Sequence, residues 1–401
     1  MRSVRVDQLA GSARVRAVSA GVSVAALCGW LFTNIGAAAL PLARAYGISL
    51  GVVGVMAAAV VAVHALLQLP AGELIDKVGA RRALLLGCAL VLVSNAAALI
   101  VPVAALAVAM RLLCGVGTAL CYLGGSVSIT SVDRSPLAQG LFGAGAPVGS
   151  AMALALIPAL DRAIGWRASW LTAVAAAGIV LLAVAFLAPQ DGPRAQRRNR
   201  SSLRGVLADA RLYRLGAVHG ASFGLSVVVG SWTVAYLEQR DGSSPAAAGV
   251  VAALVLGGSA LTRWLGGLAS DASRLRLVLV ASMVAGGAGV AALAVAGSLP
   301  VAAGAALLIG LASGVPFATV FSLAQVVRPA EGGASLALVN ALGNGVLVVG
   351  VPLLGVAFTF GEERLGLALI AVAWLCTILV VPRVAELRAG QAALWDVSRE
   401  S

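Results

Sequence analysis

Ionisable side chains are scarce within the apolar stretches of this sequence, and the few that occur are the first candidates for chemistry. Arg263 and His64 lie near the centres of apolar stretches, whereas Arg111 and His219 lie off-centre. His219 is close enough to the end of its stretch that we expect it at the cytoplasmic interface. A guanidinium in such a place needs a partner, and its planar fork suits a carboxylate or an oxyanion. An imidazole titrates near neutral pH in its ordinary state. These residue types predict an anion-binding site near which a proton can be held.

Other kinds of chemistry find little support. No His, Asp and Glu cluster has metal-ligand spacing, and no nucleophile lies beside a base, so we expect neither an enzyme nor a bound cofactor. All sixteen acidic residues lie in polar segments or near the ends of apolar stretches. The cysteines fall inside apolar stretches, where they act as small hydrophobic residues. They are Cys28, Cys88, Cys114, Cys121 and Cys376.

The composition requires a bilayer to position these residues. Of 401 residues, 60% are hydrophobic and only 11% are charged, and the mean hydropathy is +1.00. Soluble domains do not have this composition. The net charge of +12 does not indicate nucleic-acid binding, because the basic residues are spread between apolar stretches rather than gathered in one patch. The first apolar run, from Ala17 to Leu42, is too long for a signal peptide, and we expect it to be retained.

Apolar windows of about 20 residues predict twelve helices that cross the membrane, and therefore an all-α integral membrane protein. A polar, arginine-rich segment separates two groups of six. We predict an N-terminal bundle over 1–188, a linker over 189–213, and a C-terminal bundle with its tail over 214–401. The predicted spans are 17–42, 50–72, 83–102, 104–130, 139–160, 168–188, 214–238, 246–268, 276–297, 300–327, 334–359 and 365–382.

The basic residues predict the orientation of these spans. If both termini are cytoplasmic, 21 Lys and Arg residues face the cytoplasm and five face the opposite side. Cytoplasmic loops of membrane proteins carry such an excess. We therefore expect a multi-pass protein of the cell (inner) membrane with both termini and the linker in the cytoplasm.

A charged motif lies between the second and third predicted spans. The segment from Gly72 to Arg82 reads GELIDKVGARR. We expect it to form a tight turn at the membrane face, because its charges cannot enter hydrocarbon and its glycines permit a turn. This segment resembles the signature G-x-L-x-D-(R/K)-x-G-x-(R/K)-R between helices 2 and 3 of the major facilitator superfamily of transporters. The matching residues are Gly72, Leu74, Asp76, Lys77, Gly79, Arg81 and Arg82.

The two groups of six spans also repeat each other at an offset of 195 residues, which indicates duplication of a six-helix unit. The charged pairs carry most of the weight, because glycines in apolar repeats match by chance more often. The pairs are Gly47 and Gly242, Ser49 and Ser244, Gly54 and Gly249, Gly72 and Gly267, Asp76 and Asp271, Arg81 and Arg276, and Gly115 and Gly310.

The resemblance implies a gating role for the signature residues and for Asp271 and Arg276, their echo in the second half. In the family, a network beside the signature latches the outward-facing state, and here Asp133 and Arg134 would pair with Arg81 or Asp76. A solvated loop is the plain alternative. Arg111 and Gly115 are similar to the family's R-x-x-x-G motif of helix 4, which is associated with conformational coupling or proton movement. The alternative for Arg111 is an arginine that reaches the outer interface.

Within the superfamily, the arginine of the eighth span and the glycine-asparagine pattern of the eleventh look most like the nitrate/nitrite and cyanate porters. This chain has Gln68 where nitrate porters carry a second arginine. The likeness implies alternating access around one site near the midplane, with Arg263 as the cation that binds a small anion or a carboxylate. Alternatively, Arg263 bonds backbone carbonyls and holds its helix to a neighbour. The remaining predicted site residues are Gln68, Asn34, Asn344 and His64, and the amides of the first three would solvate the Arg263 guanidinium in part.

We expect the partners to be an anionic solute, the lipid bilayer, and either protons or a counter-anion, with no nucleic acid and a monomeric state. Because no carboxylate lies near mid-span, any proton coupling would run through His64 or the substrate, and anion exchange explains that absence equally well. A lone histidine is more often a hydrogen-bonded structural residue. An efflux pump for hydrophobic or cationic compounds is the first rival, although a membrane carboxylate and an aromatic lining would then be expected. A sensor of the same fold is the second.

Overall fold

A computed structural model of the chain describes residues 2–133, 136–190, 203–263 and 271–400, and these ranges are helical with no strand. Eleven helices are long and apolar enough to cross a membrane, or twelve when Ala39–Tyr46 and Leu50–Leu66 count together as one bent unit. We number the spans in chain order and use the term half for spans 1 to 6 or spans 7 to 12. The all-α architecture predicted from hydropathy is confirmed.

The helices of the first half lie close to the predicted spans. Arg2–Ala37 forms span 1, and the short helix Ala39–Tyr46 follows it. The other spans of this half are Leu50–Leu66 with Gln68–Val78 (span 2), Ala80–Ala97 (span 3), Ala104–Thr130 (span 4), Pro136–Ile164 (span 5) and Arg167–Leu187 (span 6).

Three of the spans in the second half change helix type or break. Span 7 consists of Ala210–His219, the π-helical segment Gly220–Leu225 and Ser226–Asp241. The other spans are Pro245–Thr262 (span 8), Ala272–Ala294 (span 9), Leu299–Gly314 with Pro316–Val327 (span 10), Gly332–Thr359 (span 11) and Glu363–Cys376 with the 3₁₀ turn Thr377–Val380 (span 12). Two short elements precede spans 7 and 11, namely Leu203–Leu207 and Pro329–Glu331, and the chain closes with the helix Val384–Glu400.

Two of the sequence-based boundaries are wrong. The first helix stops at Ala37, and the next one begins at Ala39, so the predicted span 17–42 joins two helices. The predicted turn from Gly72 to Arg82 is also wrong: Gln68–Val78 and Ala80–Ala97 are helices, and only Gly79 lies between them. Gly79 has a φ of +94°, which side chains other than glycine rarely adopt. One residue therefore separates the two helices, and Gly72 sits within the first of them.

The duplicated pattern has a structural counterpart at the start of each half. Gly47 and Gly242 have φ values of +62° and +59°, and each ends a helix in the left-handed conformation. Ser49 and Ser244 then cap spans 2 and 8, accepting hydrogen bonds from backbone N–H groups three residues ahead. The same local chemistry therefore starts the corresponding helix in both halves.

The two halves pack closely where spans 2 and 8 begin and spans 5 and 11 end, which we call the distal side. A Cβ added to Gly54 of span 2 would lie 2.8 Å from the Cα of Pro352 in span 11. A Cβ added to Gly249 of span 8 would lie 2.6 Å from the carbonyl oxygen of Leu154 in span 5. These glycines therefore bring backbones of opposite halves into direct contact.

Candidate functional site

A small cavity lies between the two halves, with walls from spans 1, 2, 4 and 5 on one side and from spans 7, 8, 10 and 11 on the other. Its volume is about 20 Å³, which is room for about one water molecule. The lining residues are Phe32, His64, Tyr122, Ala146, His219, Phe223, Arg263, Phe317, Asn340 and Asn344. Three of the five predicted substrate-site residues are therefore at the cavity, and two are not.

Arg263 follows the last helical residue of span 8 and is 7% exposed. Its Nη1 donates a hydrogen bond to the carbonyl of Gly143 in span 5, in the opposite half. Its guanidinium carbon lies 4.1 Å from the centre of the Phe317 ring and 5.8 Å from that of Phe223. The Nε has no hydrogen-bond partner. One carbonyl dipole and two ring faces thus offset this buried charge only in part.

His64 lies at the cavity, but its ring is held within its own half. Its Nδ1 lies 3.2 Å from Thr118 Oγ1, and its Nε2 lies 2.9 Å from Gln68 Nε2. Gln68 is not among the cavity-lining residues. The structure therefore does not place it beside the ligand, as was predicted. The reason is local: four residues separate Gln68 from His64, which puts the amide against the imidazole.

The two predicted asparagines differ in position. Asn344 of span 11 is 1% exposed and lines the cavity, and its Oδ1 has no hydrogen-bond partner. Asn34 instead donates through Nδ2 to the carbonyl of Ser169, 3.2 Å away. This bond joins span 1 to span 6 within one half, so the prediction that Asn34 solvates Arg263 is wrong.

His219 was expected near the cytoplasmic interface, and that expectation is wrong. The residue is 2% exposed, and it lines the cavity next to the π-helical segment of span 7. Its ring stacks on Phe223 with centroids 5.2 Å apart. Its polar neighbour is the side chain of Asn340, which also lines the cavity. Segments of π-helix occur often at functional sites because the extra residue redirects side chains.

Sequence reasoning missed the aromatic residues of the site. Phe32, Tyr122, Phe223 and Phe317 line the cavity, although aromatic residues make up only 5% of the chain. One signal was available: Tyr122 and Phe317 are separated by the same 195 residues as the other repeat pairs. The remaining ring positions depend on packing between spans.

Arg111 lies outside this cavity and is completely buried. Its Nη2 donates to the carbonyl of Leu31 in span 1, so the alternative of an arginine that reaches the interface is wrong. A Cβ added to Gly115, on the next turn, would lie 2.6 Å from the carbonyl oxygen of Val60. The R-x-x-x-G pair therefore packs span 4 against spans 1 and 2.

The described residues show only some of the contacts of the signature segment. Asp76 is exposed, and none of the ion pairs of the described residues includes it. Arg81 Nη2 donates to the carbonyl of Ala185, 2.7 Å away, and Asp133 forms an ion pair with Arg14. Arg82 is exposed, and a Cβ added to Gly72 would meet open space.

The counterpart of the signature segment in the second half is described only in part. Asp271 caps span 9 by accepting a hydrogen bond from the backbone N–H of Arg274 at 2.9 Å, so its visible role is local. Arg276 lies in the first turns of the same span. Arg134 and Gly267, which also belong to the predicted network and repeat, lie outside the described residues.

Comparisons with known proteins agree with the fold. The family model described as Major Facilitator Superfamily matches residues 22–351. A crystal structure of a mutant of the nucleoside transporter NupG superposes with a TM-score of 0.70, covering 95% of this chain and 99% of that chain at 13% sequence identity. No curated protein matches the sequence significantly. The family match extends over most of the twelve spans, and the chain belongs to the major facilitator superfamily.

Proposed function

We propose that this transporter moves a small organic anion, most simply a carboxylate, by alternating access, and that Arg263 is the cation that binds it. The observation that carries this proposal is a buried arginine at a cavity between the halves, with an Nε that has no partner. Each ion pair of the described residues lies elsewhere. An anion would complete the pairing that Gly143 and the two phenylalanine rings leave incomplete.

The position of Arg263 connects ligand binding to movement. Its hydrogen bond to the Gly143 carbonyl crosses from span 8 to span 5, so it joins the two halves. A bound anion would compete for the same guanidinium and weaken this bond. The cavity holds about one water in the present conformation, so a solute requires the halves to move apart. Rocking of one half against the other would provide that space.

The test is uptake of labelled anions by purified protein in vesicles. Arg263→Lys keeps the charge but loses the planar fork, so we expect at least a tenfold weaker apparent affinity, which is about 1.4 kcal/mol. Arg240→Lys, which alters an ion pair with Glu363 away from the cavity, is the matched control. Unchanged affinity in Arg263→Lys, or a preferred substrate that is a cation, would show the assignment to be wrong.

Export of a flat aromatic compound is the second candidate, because aromatic rings line the cavity. The nitrate/nitrite and cyanate porters remain the branches of the superfamily that we propose as relatives. We also propose that the protein is a monomer in the cell membrane with both termini cytoplasmic, on the basis of the basic-residue count. Inverted and right-side-out vesicles distinguish the two transport directions, and a reporter fused to the C-terminus tests the orientation.

A further inference from the structure

We propose that the substrate anion carries a flat aromatic ring, which is held between two groups of ring side chains, one from each half. This proposal rests on the proposed function and adds the class of solute. It has two parts: the carboxylate binds the guanidinium of Arg263, and the ring lies against aromatic faces. The observations that support the ring are independent of the buried charge.

The first ring group belongs to the N-terminal half and centres on His64. The His64 ring lies 5.1 Å from the Phe32 ring and 5.7 Å from the Tyr122 ring, centroid to centroid, both in edge-to-face geometry. These are favourable separations for aromatic pairs. Because Thr118 and Gln68 hold the imidazole, this wall is preorganised.

The second ring group belongs to the C-terminal half and centres on His219. That ring stacks on Phe223 at 5.2 Å and lies 6.3 Å from Phe317. Phe317 also packs on Phe321 at 4.3 Å. Arg263 lies over Phe317, so the cation and the ring face are adjacent. An aromatic ring that carries a carboxylate directly has the complementary pair side by side, an anion for the guanidinium and a ring for the aromatic wall.

The distribution of rings in the chain argues against chance. The chain has only two histidines, and both line this cavity. Tyr122 and Phe317 occupy equivalent positions in the repeat, 195 residues apart, and both line it as well. Rings that served only to fill the core would have no reason to concentrate where the halves meet. Facing walls from two halves suit a flat solute whose binding bridges them.

An unpartnered polar atom lies at the edge of the cavity. Asn344 Oδ1 is buried there without a hydrogen-bond partner, whereas the other amide at the cavity, Asn340, interacts with His219. Buried polar groups normally have partners. A ring substituent with an N–H or O–H group would supply one to Asn344 and strengthen binding. The solute class is therefore an aromatic or heteroaromatic carboxylate.

The experiment compares four probes for inhibition of uptake of labelled benzoate by the full-length protein in vesicles. The probes are unlabelled benzoate, cyclohexanecarboxylate, acetate and benzamide. Benzoate and cyclohexanecarboxylate share a carboxylate and a similar size, but only benzoate is flat. We expect benzoate to inhibit at concentrations at least tenfold lower than the other three.

Two variants connect that preference with the rings. Tyr122→Leu and Phe317→Leu should each reduce the preference for benzoate over cyclohexanecarboxylate, while the protein remains inserted and monodisperse. Phe358→Leu is the matched control, since Phe358 stacks on Trp232 at 5.0 Å and is not among the cavity-lining residues. A loss of the preference in both cavity variants, with the control unchanged, supports the ring walls.

The outcomes separate this proposal from the one on which it rests. If cyclohexanecarboxylate or acetate inhibits as well as benzoate, the ring inference is wrong, whereas the anion transporter stands. If benzamide inhibits as well as benzoate, the ring walls stand and the anion is wrong. If no labelled benzoate is taken up but labelled acetate is, the aromatic class is overturned. A preference that survives in both leucine variants also overturns it.

Discussion

At the scale of the residue, the two arginines that are buried among the described residues each use a main-chain carbonyl of another span as their visible partner. Arg263 donates to Gly143 and Arg111 donates to Leu31. A carbonyl dipole offsets part of a buried charge but leaves the rest of the fork available. Arg263 differs from Arg111 because its fork borders a cavity. The same residue type is therefore structural in span 4 and a candidate ligand-binding group at the end of span 8.

The two histidines of the cavity give a prediction about proton coupling. Thr118 and Gln68 engage both ring nitrogens of His64, whereas His219 faces the Asn340 side chain and the Arg263 guanidinium at the cavity. The charged group that faces His219 is Arg263, which opposes a proton there until an anion arrives. If transport is coupled to protons, we expect His219→Gln to abolish the response of uptake to an imposed pH gradient while exchange of labelled for unlabelled anion continues.

His64→Gln is the comparison for that experiment, since we expect it to retain gradient-driven uptake. Loss of the pH response in His64→Gln alone would assign the proton site to His64 of span 2 instead. Should wild-type uptake ignore the gradient altogether, anion exchange is the mechanism, and neither histidine carries a proton.

At the scale of the element, close contact between helices of opposite halves depends on glycines, which have no side chain. Gly54 and Gly249 are equivalent in the repeat, and each packs on a span of the other half. The neighbouring atoms at both positions include backbone atoms, which cannot rotate away as a side chain tip can. A methyl group at either position must therefore separate the helices.

We predict that Gly54→Ala and Gly249→Ala each slow turnover by disfavouring closure of the distal side. Overpacking of this kind costs about 1–3 kcal/mol, which corresponds to roughly 5- to 150-fold in the population of the closed state. Turnover in vesicles measures the effect. Gly304→Ala is the control, since a Cβ there meets nothing within 4 Å. Normal turnover in both variants would contradict this role for the distal contact.

The signature segment supplies a second prediction at this scale. Asp76 lies in the last turn of the helix Gln68–Val78 and is exposed. A negative charge at a helix C-terminus is unfavourable, so the carboxylate does not stabilise this conformation. We propose that it acts in another state of the cycle, and we expect Asp76→Asn to lower turnover while membrane insertion is intact and thermal stability does not fall.

Glu73→Gln is the control for Asp76→Asn, because Glu73 is exposed on the same helix. We expect the control to transport normally. Wild-type rates in Asp76→Asn would remove the basis for a latch at this segment.

At the scale of the whole molecule, two halves meet around the cavity, and a terminal helix is attached to one of them. Arg214 of span 7 donates through Nη1 and Nη2 to Glu386 at 2.6 and 3.2 Å. The backbone N–H of Arg383 also donates to Glu386, at 2.6 Å. Glu386 belongs to the helix Val384–Glu400. These bonds fasten the terminal helix to the C-terminal half, which moves as a unit in a rocking mechanism.

The pH dependence of this attachment can be predicted. Burial raises the pKa of Glu386, but the hydrogen bonds from Arg214 and from the Arg383 N–H outweigh it, and the net pKa lies below the ordinary value. A lowered pKa adds stability that is present above the ordinary pKa of about 4.3 and is lost as the pH falls through the lowered value. Both side chains are about one-third exposed, so the contribution is at most about 1 kcal/mol.

We therefore expect hydrogen exchange of the terminal helix to accelerate as the pH falls below about 4, after correction for intrinsic rates. Glu386→Gln should exchange faster than the wild type at neutral pH and show no such acid transition. Arg240→Gln is the control, since Arg240 pairs with Glu363 and not with Glu386. An acid transition that persists in Glu386→Gln would assign it to another group.

The sequence alone determined the membrane class, the twelve apolar spans, the duplication and the family resemblance. These follow from hydropathy and from short motifs, because a helix in a bilayer satisfies its own backbone hydrogen bonds and its length is set by the membrane. Sequence alone also identified Arg263, His64 and Asn344 as candidates, since a polar side chain in an apolar stretch stands out without any knowledge of its neighbours.

Only the tertiary structure decided which of these residues meet. It put Gln68 against His64, Asn34 against span 6, and His219 at the cavity. It also assembled the ring walls from residues as far apart in the chain as Phe32 and Phe317. The physical reason is that a cavity depends on helix rotation and on contacts between distant spans, which small residues such as Gly54 set through close packing. Hydropathy carries no information about either.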